Sequence, residues 1–142
     1  MRPLLEQLTF EHTSSFLVRA FERPYFDAPW HYHPEFELTY IVQGAGQRFV
    51  ADSIEAFDAG DLVLLGAHVP HFWRNSVEFY QQNSKLTAQA VVVQFPPQWV
   101  NDFINNVPDF KSIRSLLLKS ESGLVFSAVS PTLHQKLLQL PT

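Results

Sequence analysis

The sequence predicts a mainly β barrel or sandwich that ends in helices. Three observations carry this. Short runs rich in β-branched and aromatic residues recur through the first ninety-five residues. Glycine and proline turns separate them. After Pro96-Pro97 the apolar period lengthens to helical spacing. A chain of 142 residues is enough for one ordinary domain. We therefore expect a single domain over 1–142, with the barrel at about 1–96 and a helical part at about 97–142.

In chain order, Phe16-Leu17-Val18-Arg19-Ala20-Phe21 reads as the first strand. Residues 36–42 follow, apolar and β-branched. Gly44-Ala45-Gly46 reads as a hairpin turn into a strand at 47–51. Asp58-Ala59-Gly60-Asp61 is a second turn, leading to Leu62-Val63-Leu64-Leu65. Residues 71–74 and 90–95 complete the strands. Trp99, Val100, Phe103, Ile104 and Val107 then fall at helical spacing, as do Ile113, Leu116 and Leu117. Ser130 reads as a helix N-cap followed by Pro131 in the first turn, with a body from Thr132 to Leu140. The chain stops soon after, at Pro141-Thr142, and this abrupt end suggests a piece cut from something longer.

Composition narrows the function classes. Hydrophobic residues make up 46% and charged residues 17%, a globular balance. Thirteen phenylalanines fit a β-rich core or an aromatic-walled pocket. The absence of cysteine excludes disulfides and thiolate ligands, and it is compatible with a reducing, cytoplasmic setting. The N-terminus lacks the long apolar run of a signal peptide, and no stretch approaches a membrane span. Net charge is −4, with ten basic residues scattered among fourteen acids. Duplex DNA needs clustered Lys and Arg to neutralise phosphates, so residues 1–142 taken alone are not expected to hold DNA.

The chemistry concentrates in two windows. The first reads His31-Tyr32-His33, then Glu37, then Gly44; the second reads Gly60, His71, Asn75. Histidines two apart on a strand share a face. An unbroken strand would hold His33 and Glu37 roughly 13 Å apart. Pro34, which cannot donate to a ladder, supplies the break that lets them meet. Three neutral imidazoles and a carboxylate suit Zn, Ni, Fe or Mn. The plain alternative is that these histidines line a pocket or hold hydrogen bonds.

Tyr25, Trp30, Phe36, Phe72 and Trp73 flank these windows and could wall a pocket for a small ligand such as a sugar. Core packing accounts for at least half of them. Alternation puts Phe72 and Trp73 on opposite faces, so only one should line a cavity. With His71 facing inward, that one is Trp73. The expected ligand-binding set is Trp30, His31, His33, Glu37, His71 and Trp73. Glu35 and Arg74 could orient a ligand or a histidine, but a surface position suits them better. His12 and His134 read as isolated and exposed. The C-terminal leucines could form an oligomer face or pack on the barrel.

His31, His33, Glu37 and Gly44 meet the first cupin motif in full, and Gly60, His71 and Asn75 meet the second. The second motif is departed from at Gly66, where proline is usual, and at His68, where glycine is usual. The departures bear on the turn entering the last ligand strand. The resemblance implies a double-stranded β-helix, or jelly-roll barrel, with metal positions at His31, His33, Glu37 and His71. The runs 33–42, 60–75, 91–95, 116–118 and 123–126 further resemble the N-terminal sensor domain of AraC-type bacterial transcription regulators. That resemblance implies a small-molecule effector, no catalytic residue and a helix-turn-helix DNA-binding domain beyond residue 142. It also implies dimer contacts near the end of the sensor domain, and hence a monomer or weak homodimer here. The rival classes are a small metal-dependent cupin enzyme, such as a dioxygenase or isomerase, and a dimerisation domain without ligand.

Overall fold

The computed structural model describes residues 1–10 and 15–141; His12 lies outside the described residues. The chain folds into two facing five-stranded sheets. The strands are β1 Leu4–Leu5, β2 Leu17–Arg23, β3 His31–Tyr32, β4 Phe36–Gln43, β5 Gly46–Val50, β6 Ser53–Phe57, β7 Leu62–Leu65, β8 His71–Asn75, β9 Ala88–Phe95 and β10 Leu124–Phe126. One sheet has the order β1-β3-β8-β5-β6, the other β10-β7-β4-β9-β2. Pairing is antiparallel except for the parallel β1–β3 contact. The helices are α1 Pro97–Asp102, α2 Lys111–Lys119 and α3 Pro131–Gln139. This is the mainly β, double-sheet barrel with C-terminal helices that the sequence predicts.

Alternation decides which side chains reach the interior. Ile41, Val63, Leu65, Trp73, Ala90 and Val92 form one buried cluster between the sheets. Their neighbours Leu64, Val93 and Phe95 point the other way and pack on Val100, Ile104 and Leu117 from the C-terminal part. Tyr40 and Leu62 do the same against Leu137 of α3. The second sheet is therefore buried on both faces, which is why Leu62–Leu65 and Ala88–Phe95 read as nearly continuous apolar runs. Ser130 caps α3, accepting a hydrogen bond from Leu133 N at 3.1 Å.

Several local expectations change. Gly44-Ala45-Gly46 does not close a hairpin: β4 and β5 lie in different sheets, and the turn is a crossover between them. The single helix suggested by Trp99 to Val107 is broken into α1 and short 3-10 turns at Ile104–Asn106 and Pro108–Phe110. Pro108 has no amide hydrogen to continue a helix. The helical part also contributes a strand, β10, at the edge of the second sheet. His134 is not isolated. It faces the sheet from α3 and hydrogen-bonds the Tyr40 hydroxyl.

The two departures in the turn before β8 have physical reasons. Gly66 N donates to Ser120 O at 2.8 Å, a bond proline could not make. A Cβ on Gly66 would also stand 2.8 Å from that same oxygen. His68 adopts φ 64°, the left-handed conformation that glycine takes without strain. His68 thus takes the left-handed conformation with a residue less permissive than glycine.

Candidate functional site

The break at Pro34 carries the chain from β3 in one sheet to β4 in the other, and this crossing brings His33 back over Glu37. His33 Nε2 lies 3.1 Å from Glu37 Oε1. His71, paired with His31 across β8 and β3, enters from the opposite sheet, with Nε2 3.3 Å from Glu37 Oε2. All four residues are buried. Ring nitrogens of His31, His33 and His71 lie within 4.8 Å of one another. Glu37 stands beside this triangle, against His33 and His71.

Each histidine is oriented by the backbone. Nδ1 of His31 meets Pro29 O at 2.6 Å, that of His33 meets Glu35 O at 3.1 Å, and that of His71 meets Val69 O at 2.8 Å. A carbonyl can only accept, so each Nδ1 carries the proton. In the neutral rings Nε2 then presents its lone pair inward. His71 Nε2 is buried with no aligned hydrogen-bond partner. A set of three converging lone pairs, fixed by carbonyls behind them, can bind a proton or a metal ion.

Glu37 is the hub. Thr39 Oγ1 donates to its Oε2 at 2.7 Å, and Gln94 Nε2 donates to its Oε1 at 2.7 Å. Burial opposes its charge, but His71 and His33 outweigh burial and hold the carboxyl well below its usual value of about 4.5. Burial likewise works against a charge on His33, yet the hydrogen bond and charge of Glu37 raise it above 6.5. His31 goes the other way: burial and the nearby His71 lower it. Two outcomes follow. Imidazole proton resonances should show His31 titrating below pH 6.5 and His33 above it, and the reverse order would refute the arrangement. Glu37, depressed on folding, contributes stability that is complete above pH 4.5 and is lost as the pH falls through its folded value. The raised His33 contributes below pH 6.5 and loses its share as the pH rises through its own. Urea midpoints followed from pH 6 down to about pH 3 should fall, most steeply below pH 4.5.

A cavity of about 110 Å³ lies against this cluster. Its polar lining includes His31, Glu37, His71, Arg19, Gln94 and Glu6, and its apolar lining includes Phe21, Phe26, Ile41, Trp73, Ala90 and Val92. Trp73 is buried and lines it. Phe72 stacks on Phe49 with centroids 4.4 Å apart but also borders the cavity, so the two neighbours are not exclusive. Trp30 is not among the lining residues and packs edge-on against Phe72, and Tyr25 packs on Tyr80. Phe36 joins the outer core on Phe95. His33 is buried behind the cavity wall. Glu35 acts through its carbonyl on His33, while Arg74 is exposed over Phe49. Sequence reasoning missed Glu6, Arg19, Thr39 and Gln94. Gln94 left a signal, as the one buried amide of β9, and Arg19 a weaker one, as the single charge in the apolar run 16–21.

The sequence profile of the AraC-like ligand binding domain matches residues 15–138. The fold is similar to that of ToxT from Vibrio cholerae strain SCE256, solved with an unsaturated fatty acid bound, with TM-score 0.61 and 17% identity over 94% of this chain and 48% of ToxT. It is also similar to a cupin 2 conserved barrel domain protein from Salinispora arenicola CNS-205, with TM-score 0.50 and 19% identity over 72% of this chain and 82% of the other. At such identities the likeness is one of fold. This chain spans about half the length of the ToxT chain. No curated protein matches it in sequence. No helix among the described residues is long and apolar enough to cross a membrane. The barrel, its inward histidine cluster and a profile match over most of the chain agree: the chain belongs to the AraC-like ligand-binding domain family.

Proposed function

We propose that this chain is the sensor part of an AraC-type bacterial transcription regulator acting in the cytoplasm. A small molecule enters the barrel and biases DNA binding by a helix-turn-helix domain outside residues 1–142. The observation that carries this reading is the cavity itself: an apolar chamber closed at one end by oriented polar groups, the form of a small-ligand site. The fatty acid held by ToxT supports the idea that a barrel of this kind takes a small organic ligand. No residue is assigned a catalytic role. The effector can shift the regulator only by its differential affinity for two states. The test is a thermal-shift screen of small molecules on this chain, followed by DNA binding of the intact regulator with and without the hits. A screen in which no compound stabilises the chain would refute the sensor reading. Residues 1–142 alone should not select one duplex over a scrambled one at low salt, and selection would place DNA recognition within the barrel itself.

A divalent transition metal (Zn, Ni, Fe or Mn) fits the same cluster by donor chemistry. His31, His33 and His71 would hold it through Nε2, with Glu37 completing the set, and the unpartnered His71 Nε2 favours this. Such an ion would supply a Lewis-acidic contact for an effector oxygen. Elemental analysis of protein purified without chelator, and metal titration of stripped protein, test it. Uptake should weaken below pH 6.5, where imidazoles protonate. His71→Ala should reduce affinity by at least about tenfold, since a metal ligand is lost. Protein that takes up no metal on titration would refute the metal and leave the small-molecule reading standing.

A further inference from the structure

The polar mouth of the cavity already holds a carboxylate, and it belongs to the chain itself. Glu6 Oε1 lies 3.5 Å from Arg19 Nη2, and its Oε2 lies 3.1 Å from His31 Nε2. The cation and the imidazole thus face two oxygens of one carboxyl group. The fit is loose. A separation of 3.5 Å exceeds ordinary hydrogen-bond length. The Arg19 and Glu6 side chains are 35% and 33% exposed, so their attraction is screened by water. Arg19 Nε is buried without a partner among the described residues, while Nη2 also donates to Gln94 Oε1 at 2.9 Å. The guanidinium therefore retains a free donor beside a carboxylate it grips poorly.

The segment that delivers Glu6 is lightly held. Its strand β1 has two residues. Leu4 N donates to Trp30 O at 3.0 Å and Glu6 N to Tyr32 O at 2.9 Å. Both leucines of β1 are exposed, so little apolar burial anchors the segment. Of the other carboxylates at the cavity, Glu37 is held by His33, His71, Thr39 and Gln94, and Asp27 makes its own loose contact with Arg23, at 3.5 Å.

We infer that the cavity takes a small carboxylate with an apolar body, whose carboxylate displaces Glu6 from Arg19. This rests on the reading of the cavity as a ligand site and names the class of ligand. The apolar walls decide against a sugar. Phe21, Phe26, Ile41, Ala90 and Val92 offer no side-chain hydrogen-bonding group, so hydroxyls spread around a sugar ring would lie unpaired against them. A single anionic head beside Arg19 with a short hydrocarbon tail places no polar group against these five side chains. A free ligand carboxylate can also align with the guanidinium edge, which the tethered Glu6 does not.

The test uses metal-stripped protein, so that no ion can hold the carboxylate. Hexanoate and its neutral analogue hexanamide are titrated calorimetrically into the parent chain, Glu6→Gln and Arg19→Gln. Removing the competing charge should tighten hexanoate binding by at least about tenfold in Glu6→Gln, the scale of one charge-assisted hydrogen bond, and leave hexanamide affinity unchanged. Arg19→Gln should abolish the preference for hexanoate. Circular dichroism checks its folding, and Arg19→Lys, which keeps the cation, should retain the preference if the glutamine variant is unfolded. In the parent, hexanoate should also speed hydrogen exchange at the Glu6 amide, because the segment is released. Equal affinities for hexanoate and hexanamide in Glu6→Gln would overturn the carboxylate class, and slowed or unchanged exchange would overturn the displacement. In either case a hit of another class in the thermal-shift screen would leave the ligand site intact. Failure of hexanoate together with every screened compound would remove both.

Discussion

Replacing Gly46 by alanine should prevent this chain from folding stably. An alanine Cβ at that position would stand 2.0 Å from Arg74 O and 2.7 Å from Asn75 Cα. Both atoms are backbone, so no rotamer change relieves the overlap. Gly46 pairs with Asn75 at the end of the β5–β8 ladder, and separating the strands there also disturbs Asn75. The Asn75 side chain accepts from Phe26 N at 2.7 Å and donates to Ala45 O at 3.3 Å, tying the turn to the rest of the barrel. Overlap with immovable atoms plus loss of these bonds belongs with the rare substitutions costing more than about 4 kcal/mol. Whole domains are stable by only about 5–15 kcal/mol. Urea unfolding of Gly46→Ala should show a transition shifted far toward zero denaturant, or none. A midpoint near that of the parent would mean that β5 and β8 do not approach as closely as described. At Gly60 an added Cβ would meet nothing within 4 Å but would sit at φ 92°, so Gly60→Ala measures backbone strain without crowding and should cost less than Gly46→Ala.

That contrast shows how far local signals reach. Glycine at 44, 46 and 60 announced turns, and turns are there. Local turn chemistry cannot say which sheet the next strand joins, so the glycines at 44 and 46 suggest a hairpin where the fold has a crossover. The strands with a clear inward face, β4, β7, β8 and β9, were legible because burial imposes alternation or continuous apolarity on them. β6 was not: Ser53, Ile54, Glu55 and Ala56 are all exposed on an edge strand, and only Phe57 is buried. β1 and β3 are two residues each, too short for any period. Downstream, Trp99 and Val100 lie on α1, but the helix ends at Asp102 and the apolar spacing through Val107 carries no mark of that break.

The site divides the same way. The convergence of His31, His33, Glu37 and His71 was legible because spacing and the Pro34 break are local facts. Gln94 could have been found, since a lone amide inside a buried apolar strand needs a partner. Glu6 could not, and Arg19 only in part: it is the single charge in the apolar run 16–21, but it meets Gln94 across 75 residues of sequence, which no local signal announces. Trp30 beside the histidine motif looked like a pocket wall because it is adjacent in sequence. In the fold it packs on Phe72 instead.

Glu37 is the residue on which the site and the stability of the barrel depend together, and Glu37→Ala should cost about 3–5 kcal/mol, the range for breaking a buried ion pair by removing one partner. The carboxylate is 4% exposed and has four partners: His33, His71, Thr39 and Gln94. Its removal strands the Gln94 amide and the Thr39 hydroxyl in a place water does not readily reach, and leaves a charged His33 with no counter-ion. His33 should answer by giving up its proton. In Glu37→Gln, which keeps the shape and one acceptor oxygen, the His33 imidazole should therefore titrate lower than in the parent, because the charge and the charged hydrogen bond that raise it are gone. The glutamine amide can satisfy only part of the set. It keeps one acceptor oxygen in place of two, for Thr39 or Gln94, while its NH2 can donate to the Nε2 lone pair of a neutral His33 or His71. Glu37→Gln should accordingly fall between the parent and Glu37→Ala in urea midpoint. Arg19 should feel the change too, since Gln94 bridges it to Glu37. Chemical shifts of the Arg19 guanidinium should move in both variants. A Glu37→Ala variant within about 1 kcal/mol of the parent, the scale of a single ordinary hydrogen bond, would mean that Glu37 is not the hub of this cluster.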